Sequence, residues 1–112
     1  MKKLDIKTLT EKYFSLFESK DLNALSEMFE EECSLFDWNI SATGKHDVLD
    51  ANKGIFDAFD KIRVVVRNIL TDDNISISEI NVITDNQRTP VVDVITFSDS
   101  GKIQSVRAYR GN

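Results

Sequence analysis

The sequence holds one cysteine, one histidine, one proline and four glycines among its 112 residues. A lone thiol, Cys33, forms no intramolecular disulfide, and a lone imidazole, His46, leaves no Cys/His cluster of the usual transition-metal kind; neither a disulfide framework nor a metal site is expected. With so little Pro and Gly, collagen-like and low-complexity chains are excluded. No apolar run is long enough to span a bilayer, and MKKLDIKTLTEK at the start carries basic residues without an apolar segment behind them, because Asp5, Lys7, Glu11 and Lys12 interrupt it. Neither a membrane span nor a secretory leader is expected, and a reducing cytoplasm suits the single cysteine. Positive charge is also scarce: 14 Lys and Arg against 19 Asp and Glu give a net charge of -5. Such a surface repels phosphate backbones and anionic lipid, so neither nucleic acid nor membrane is an expected partner.

What is present is the composition of an ordinary globular chain, 41% hydrophobic and 29% charged, and its length suits one domain over residues 1–112. Ile6, Leu9, Tyr13, Leu16 and Phe17 recur at three- and four-residue spacing and predict a helix from Asp5 to about Lys20. Asp21 is placed to cap a second helix, Leu22 to about Glu32, with Leu22, Leu25, Met28 and Phe29 as its apolar line and Glu30, Glu31 and Glu32 as its solvated end. A strand over Cys33 to Asn39, a polar loop Ser41 to Gly44 and a third helix from about Lys45 to Phe59 follow, the helix with Val48, Ala51, Ile55 and Phe59 as its inner line.

Beyond Lys61 the chain reads as four strands, Ile62 to Leu70, Ile75 to Thr84, Pro90 to Phe97 and Ile103 to Tyr109, separated by turn residues. In the second of these the apolar phase moves from Ile75 and Ile77 to Ile80 and Val82, predicting a bulge near Ser78 or Glu79 that bends the sheet. Helices followed by an antiparallel meander give an α+β layout, with three N-terminal helices packed on a bent, mostly antiparallel sheet and a hollow between the layers.

Two aspartates interrupt apolar strands. Asp37, in CSLFDWN, shares a strand face with Cys33 and Leu35, so it either lines the hollow, where partial desolvation makes it a better base, or closes the loop before Asn39 by accepting from backbone amides. Asp93 lies among Val91, Val92, Val94 and Ile95, surroundings that favour the neutral acid unless Arg63, Arg67 or Arg107 pairs with it. Tyr13 is on the inner face of the first helix, either as a core aromatic or as a phenolic donor to the hollow.

YFSLFESKDLNALSEMFEEECSLFDW, TGKHDVLDANKGIFDAF and PVVDVITFSDSGKIQSVRAYRG together resemble the nuclear transport factor 2-like cone fold, in its SnoaL-like and ketosteroid-isomerase-like branch, over essentially the whole chain. In the steroid isomerases of that branch a tyrosine on the first helix and a protonated aspartate near the end donate to an oxyanion, while an aspartate ending the first strand moves the proton. The resemblance carries these roles to Tyr13, Asp93 and Asp37, with Trp38, Asn52, Phe56 and Phe17 as substrate-binding residues. Asn52 stands where the isomerases have a supporting tyrosine, and Trp38 where they have a proline, departures that argue against a steroid-sized ligand.

It implies isomerisation, cyclisation or dehydration of a small apolar carbonyl compound with neither cofactor nor metal, and a homodimer through the outer sheet face with Phe36, Trp38, Arg110 and the strand around Val64. A binding or dimerisation module of the same fold is the alternative. Arg107 and Arg110 are candidates for an acidic group of the ligand, or for pairing with acidic neighbours.

Overall fold

The structure, a computed structural model, describes residues 4–112. Helix α1, Ile6–Ser19, begins where the Asp5 carboxylate accepts the backbone N–H of Thr8 at 3.0 Å, which satisfies one of the free donors of the first turn. It ends at Lys20, which adopts the left-handed conformation at φ 59° and returns its own N–H to Leu16 and Phe17. That geometry is unfavourable for a residue with a Cβ, and the Lys20 ammonium offsets the cost by bonding the carbonyls of Phe59 and Asp60, tying the end of α1 to the far end of the third helix. Ile6, Thr10, Tyr13 and Phe14 form its buried stripe.

Helix α2, Leu22–Met28, is capped by Asp21 as expected but stops four residues early. Phe29 is extended, at φ -96° and ψ 143°, and opens strand β1, Phe29–Phe36, by pairing with Ile103. The glutamates favour helix locally, yet complete burial of Phe29 in the core outweighs that preference. The ladder then slips between Phe29 and Ser34, so Glu30, Glu31 and Glu32 fall in an irregular stretch of strand rather than on a helix end. Ser41–Thr43, expected as loop, is a short strand β2 paired with Ser34 to Phe36 of β1. Gly44 joins it to helix α3, Lys45–Ala58, at φ 90°, a conformation open to glycine, and donates to the Cys33 carbonyl at 2.7 Å.

The remaining strands are β3 (Ile62–Asp72), β4 (Ile75–Thr84), β5 (Gln87–Phe97) and β6 (Ile103–Arg110). They complete a six-stranded sheet of order β2-β1-β6-β5-β4-β3, antiparallel except where β1 runs parallel to β6. The bulge is in β3, not β4: Val66 pairs with Ile80 and Asn68 with Glu79, leaving Arg67 as the extra residue. In β4 the phase does not shift. Ser76, Ser78 and Ile80 are buried under the helices, while Ile77 lies exposed on the other face. Small serines there allow close approach of α1, and the Thr10 hydroxyl bonds Ser76 Oγ at 2.8 Å.

Phe29, Phe97, Ile95, Ile103 and Leu25, all fully buried, fill the space between helices and sheet at the closed end of the hollow. At the open end, Asp85 Oδ1 in the β4–β5 turn accepts the N–H groups of Asp60 and Lys61, fastening the turn to the exit of α3. No helix among the described residues is long and apolar enough to cross a membrane. Phe29→Ala is expected to cost about 3–5 kcal/mol through lost burial and a residual cavity, read as a lower denaturant midpoint with the same slope.

Candidate functional site

The curved sheet and helices α1 and α3 enclose a cavity of about 330 Å³ whose wall is mostly apolar: Phe14, Phe17, Ile55, Phe59, Ile80 and Val106 contribute, with few polar groups among them. Its floor follows from strand register. Asp93 of β5 pairs with Ala108 of β6, and Phe36 of β1 pairs with Arg107, so Asp37 stands level with Ala108 from the other side. Asp37 and Asp93 are thus two strand spacings apart, roughly 10 Å between backbones, with only the methyl group of Ala108 between them. Both aspartates and Ala108 line the cavity, and Tyr13 closes over them from α1.

Tyr13 is almost wholly buried, at 4% exposure, with its ring edge-on to Phe29 at 6.1 Å and tilted against Phe14 and Phe17. Its phenol makes no hydrogen bond to the protein among the described residues and faces the hollow. Burial, reinforced by the negative charges of Asp93 and Asp37, holds its pKa far above the ordinary value, so the phenol keeps its proton and is a hydrogen-bond donor. Asp93 is 7% exposed and has no cationic partner among the described residues; the ion pair with Arg63, Arg67 or Arg107 does not form. Arg107 instead lies on the outer face, its guanidinium 4.9 Å from the Phe36 ring centre. Burial first, and Asp37 second, push the Asp93 carboxyl up to about 7, where the neutral acid is a hydrogen-bond donor.

Asp37 both closes the turn and lines the cavity. Its Oδ1 accepts the N–H groups of Asn39 and Ile40 at 2.7 and 2.6 Å, and its own N–H bonds the Ile40 carbonyl at 2.9 Å, closing the turn into β2. The second oxygen, Oδ2, makes no hydrogen bond among the described residues, and the residue lines the cavity beside Leu35. One carboxylate therefore anchors the loop with one oxygen and leaves the other without a protein donor among the described residues.

Asn52 and Phe17 also line the cavity. Asn52, 1% exposed, donates through Nδ2 to the Val48 carbonyl at 2.9 Å, while its Oδ1 has no partner. Phe56 does not line the cavity: it packs edge-on against Phe17 at 5.3 Å, and Ile55, one position earlier on α3, faces the hollow instead. Trp38, Arg110 and Val64 line the cavity too. Trp38 is half-exposed, and the guanidinium of Arg110 lies 5.7 Å from its ring centre. Arg107 and Arg110, both candidates for an acidic group of the ligand, are an odd number of residues apart, which places them on opposite faces of one strand, and only Arg110 meets the cavity.

Elsewhere His46, Asp47 and Asp50 bring three ligand atoms within 4.8 Å of one another at the start of α3, all exposed to solvent. They form a solvated i,i+4 cluster, with His46 Nδ1 3.4 Å from Asp47 and 3.6 Å from Asp50. Cys33 is a free, buried thiol.

The perturbed Asp93 carboxyl makes stability depend on pH. Its folded-state pKa lies above the unfolded value, so the native state holds an extra proton between about pH 4 and about pH 7, and stability declines as pH rises through that window, by up to ~4 kcal/mol. Asp93→Asn, which keeps the shape and removes the charge, is expected to abolish the decline: at about pH 8 it should be more stable than the parent, and near pH 4 the two should converge. Urea unfolding at several pH values checks this.

The fold has counterparts among known proteins. A family model for the SnoaL-like domain matches residues 10–106. None of the curated proteins matches the chain in sequence. Among solved structures, an NTF2-like protein of unknown function from Cytophaga hutchinsonii is 11% identical with a TM-score of 0.83, over 98% of this chain and 93% of its own. A candidate ketosteroid isomerase from Kribbella flavida is 17% identical with a TM-score of 0.80, over 96% of this chain and 78% of its own. A candidate polyketide cyclase from Sinorhizobium meliloti is 19% identical with a TM-score of 0.79, over 94% of both chains. At such identities these likenesses show a shared fold, whereas the family model spans most of the sequence. The chain belongs to the SnoaL-like domain family, with the nuclear transport factor 2-like fold.

Proposed function

We propose that the protein is a small isomerase, cyclase or dehydratase that works by proton transfer on a small, largely apolar carbonyl compound held in the cavity. The observation that carries this reading is the unpaired, buried Asp93 facing the same hollow as the Tyr13 phenol and the free oxygen of Asp37. Two donors with no protein acceptor and one acceptor with no protein donor are what proton abstraction next to a carbonyl requires. Asp37 Oδ2 takes a proton from the carbon beside the carbonyl, and the electron pair of that C–H bond moves onto the carbonyl oxygen. The resulting enolate accepts hydrogen bonds from the Tyr13 hydroxyl and the protonated Asp93. Return of the proton to a different carbon isomerises the ligand; attack of the enolate carbon on a second carbonyl closes a ring; departure of a β-hydroxyl as water, once protonated, dehydrates it. The cavity volume, at the low end for ligand pockets, suits a one- or two-ring compound rather than a steroid.

A non-catalytic binding module is the second reading, and the commitment of Asp37 Oδ1 to the turn amides favours it. Exchange separates the two. The protein is expected to accelerate incorporation of deuterium at the carbons next to the carbonyl of small enones in D2O, followed by NMR. Asp37→Asn keeps an oxygen acceptor for the Asn39 and Ile40 amides while removing the base, so it should lose about 10²–10⁴-fold of that acceleration with an unchanged fold. The exchange rate should fall as pH rises through about 7, where Asp93 loses its donor proton. No acceleration by the parent protein across cyclic and acyclic enones would leave the binding module.

The outer sheet face supports self-association. Leu70 pairs with Ile77 and Ile77 with Val94, and Tyr109 pairs with Val92, so an apolar surface with Leu70, Ile77 and Tyr109 well exposed runs across four strands. We place a homodimer contact there rather than at Trp38 and Arg110. Ile77→Asp is expected to convert a dimer to a monomer in light scattering behind size-exclusion chromatography; a parent protein that elutes as a monomer at micromolar concentration would remove the contact.

A further inference from the structure

We propose that Arg110 is an anion-binding residue at the cavity mouth and that the ligand is an oxo-acid, carrying a carboxylate about one inner-face step from its reacting carbonyl; this rests on the carbonyl chemistry proposed above. Among the described residues, Arg110 is the one cation in the cavity wall, in which Asp37 and Asp93 are the acids. It pairs with no carboxylate among the described residues. Its guanidinium lies over the Trp38 ring, a contact that orients the planar fork and restricts its rotation while leaving its N–H donors free. An oriented, unpaired guanidinium suits a carboxylate, which it can bind through two parallel hydrogen bonds.

The register sets the spacing. On β6 the inner-face positions run Val106, Ala108, Arg110, with Ala108 level with Asp93 and Arg110 level with Val91. Arg110 is thus two residues further along the strand than the oxyanion donor, roughly 7 Å toward the mouth. A ligand whose carbonyl oxygen reaches Tyr13 and Asp93 therefore presents a terminal group to Arg110 when three or four bonds of apolar chain or one ring separate the two ends. Thr84, Gln87 and Thr89 complete that end of the wall with uncharged polar side chains. Of the nearby acids, Asp37 Oδ1 accepts two amides and Asp85 Oδ1 two more, and neither forms an ion pair with Arg110 among the described residues.

Two phenols of similar shape test the idea: 4-hydroxyphenylacetate, with a carboxylate opposite the hydroxyl, and 4-ethylphenol, which lacks it. Both are titrated by Trp38 fluorescence into the parent protein, Arg110→Gln and Arg110→Lys. The acid is expected to bind about tenfold more tightly than the neutral phenol in the parent. This ratio should fall toward one in Arg110→Gln, lie between in Arg110→Lys, and shrink in the parent as salt is raised. A parent ratio of one or below, or a ratio unchanged in Arg110→Gln, overturns the anion site while 4-ethylphenol binding sustains the oxyanion site. Failure of both phenols to bind overturns both.

Discussion

Burying Asp93 without a cation is the constraint on which the rest of the site depends. A carboxylate at this place in an apolar sheet is costly, and the chain meets the cost by holding a proton rather than by supplying an arginine. That choice turns an acceptor into a donor near neutral pH. It also keeps the interior free of a competing ion pair, so the donor remains available to whatever enters the cavity. The cost appears as stability lost with rising pH.

Around that residue the architecture is an arrangement for leaving space. The sheet curves, assisted by the extra residue Arg67 in β3, and two helices cover only part of its inner face. Aromatic residues plug the closed end, and Ala108 leaves a gap between the two aspartates. The turn after β1 is held by the same Asp37 whose other oxygen faces the hollow, so loop closure and placement of the acceptor are one event. Along β6 the cavity runs from the level of Ala108, where Asp37 and Asp93 face it from either side, to Arg110 with Trp38 at the mouth.

The helices were legible because a 3.6-residue apolar period needs only neighbours in sequence, and Asp5 and Asp21 announce their starts. The end of α2 was not, because glutamate favours helix locally while the extended conformation of Phe29 depends on Ile103, far along the chain. The three-residue β2 has too little pattern of its own and exists by pairing with β1. In β4 alternation was visible, yet it does not say which face meets the helices; Ser76 faces inward through its contact with Thr10, and Ile77 is left outside. On α3 the apolar spacing put Ile55 inward, as found, while Phe56, assigned to the ligand by resemblance, packs on Phe17, since one position on a helix is a rotation of ~100° and the tilt of α3 decides which of the two meets the hollow.

The sequence by itself determined the α+β class, the helix starts, the family resemblance and the identity of the three polar residues at issue, because periodicity, capping and turn chemistry act over a few residues. Only the tertiary structure decided that Tyr13, Asp37 and Asp93 share one cavity, that Asp93 meets no arginine, that Asp37 divides its oxygens between turn and hollow, and that Arg110 turns inward while Arg107 turns out. Those are consequences of strand register and sheet curvature, set by contacts between segments distant in the chain.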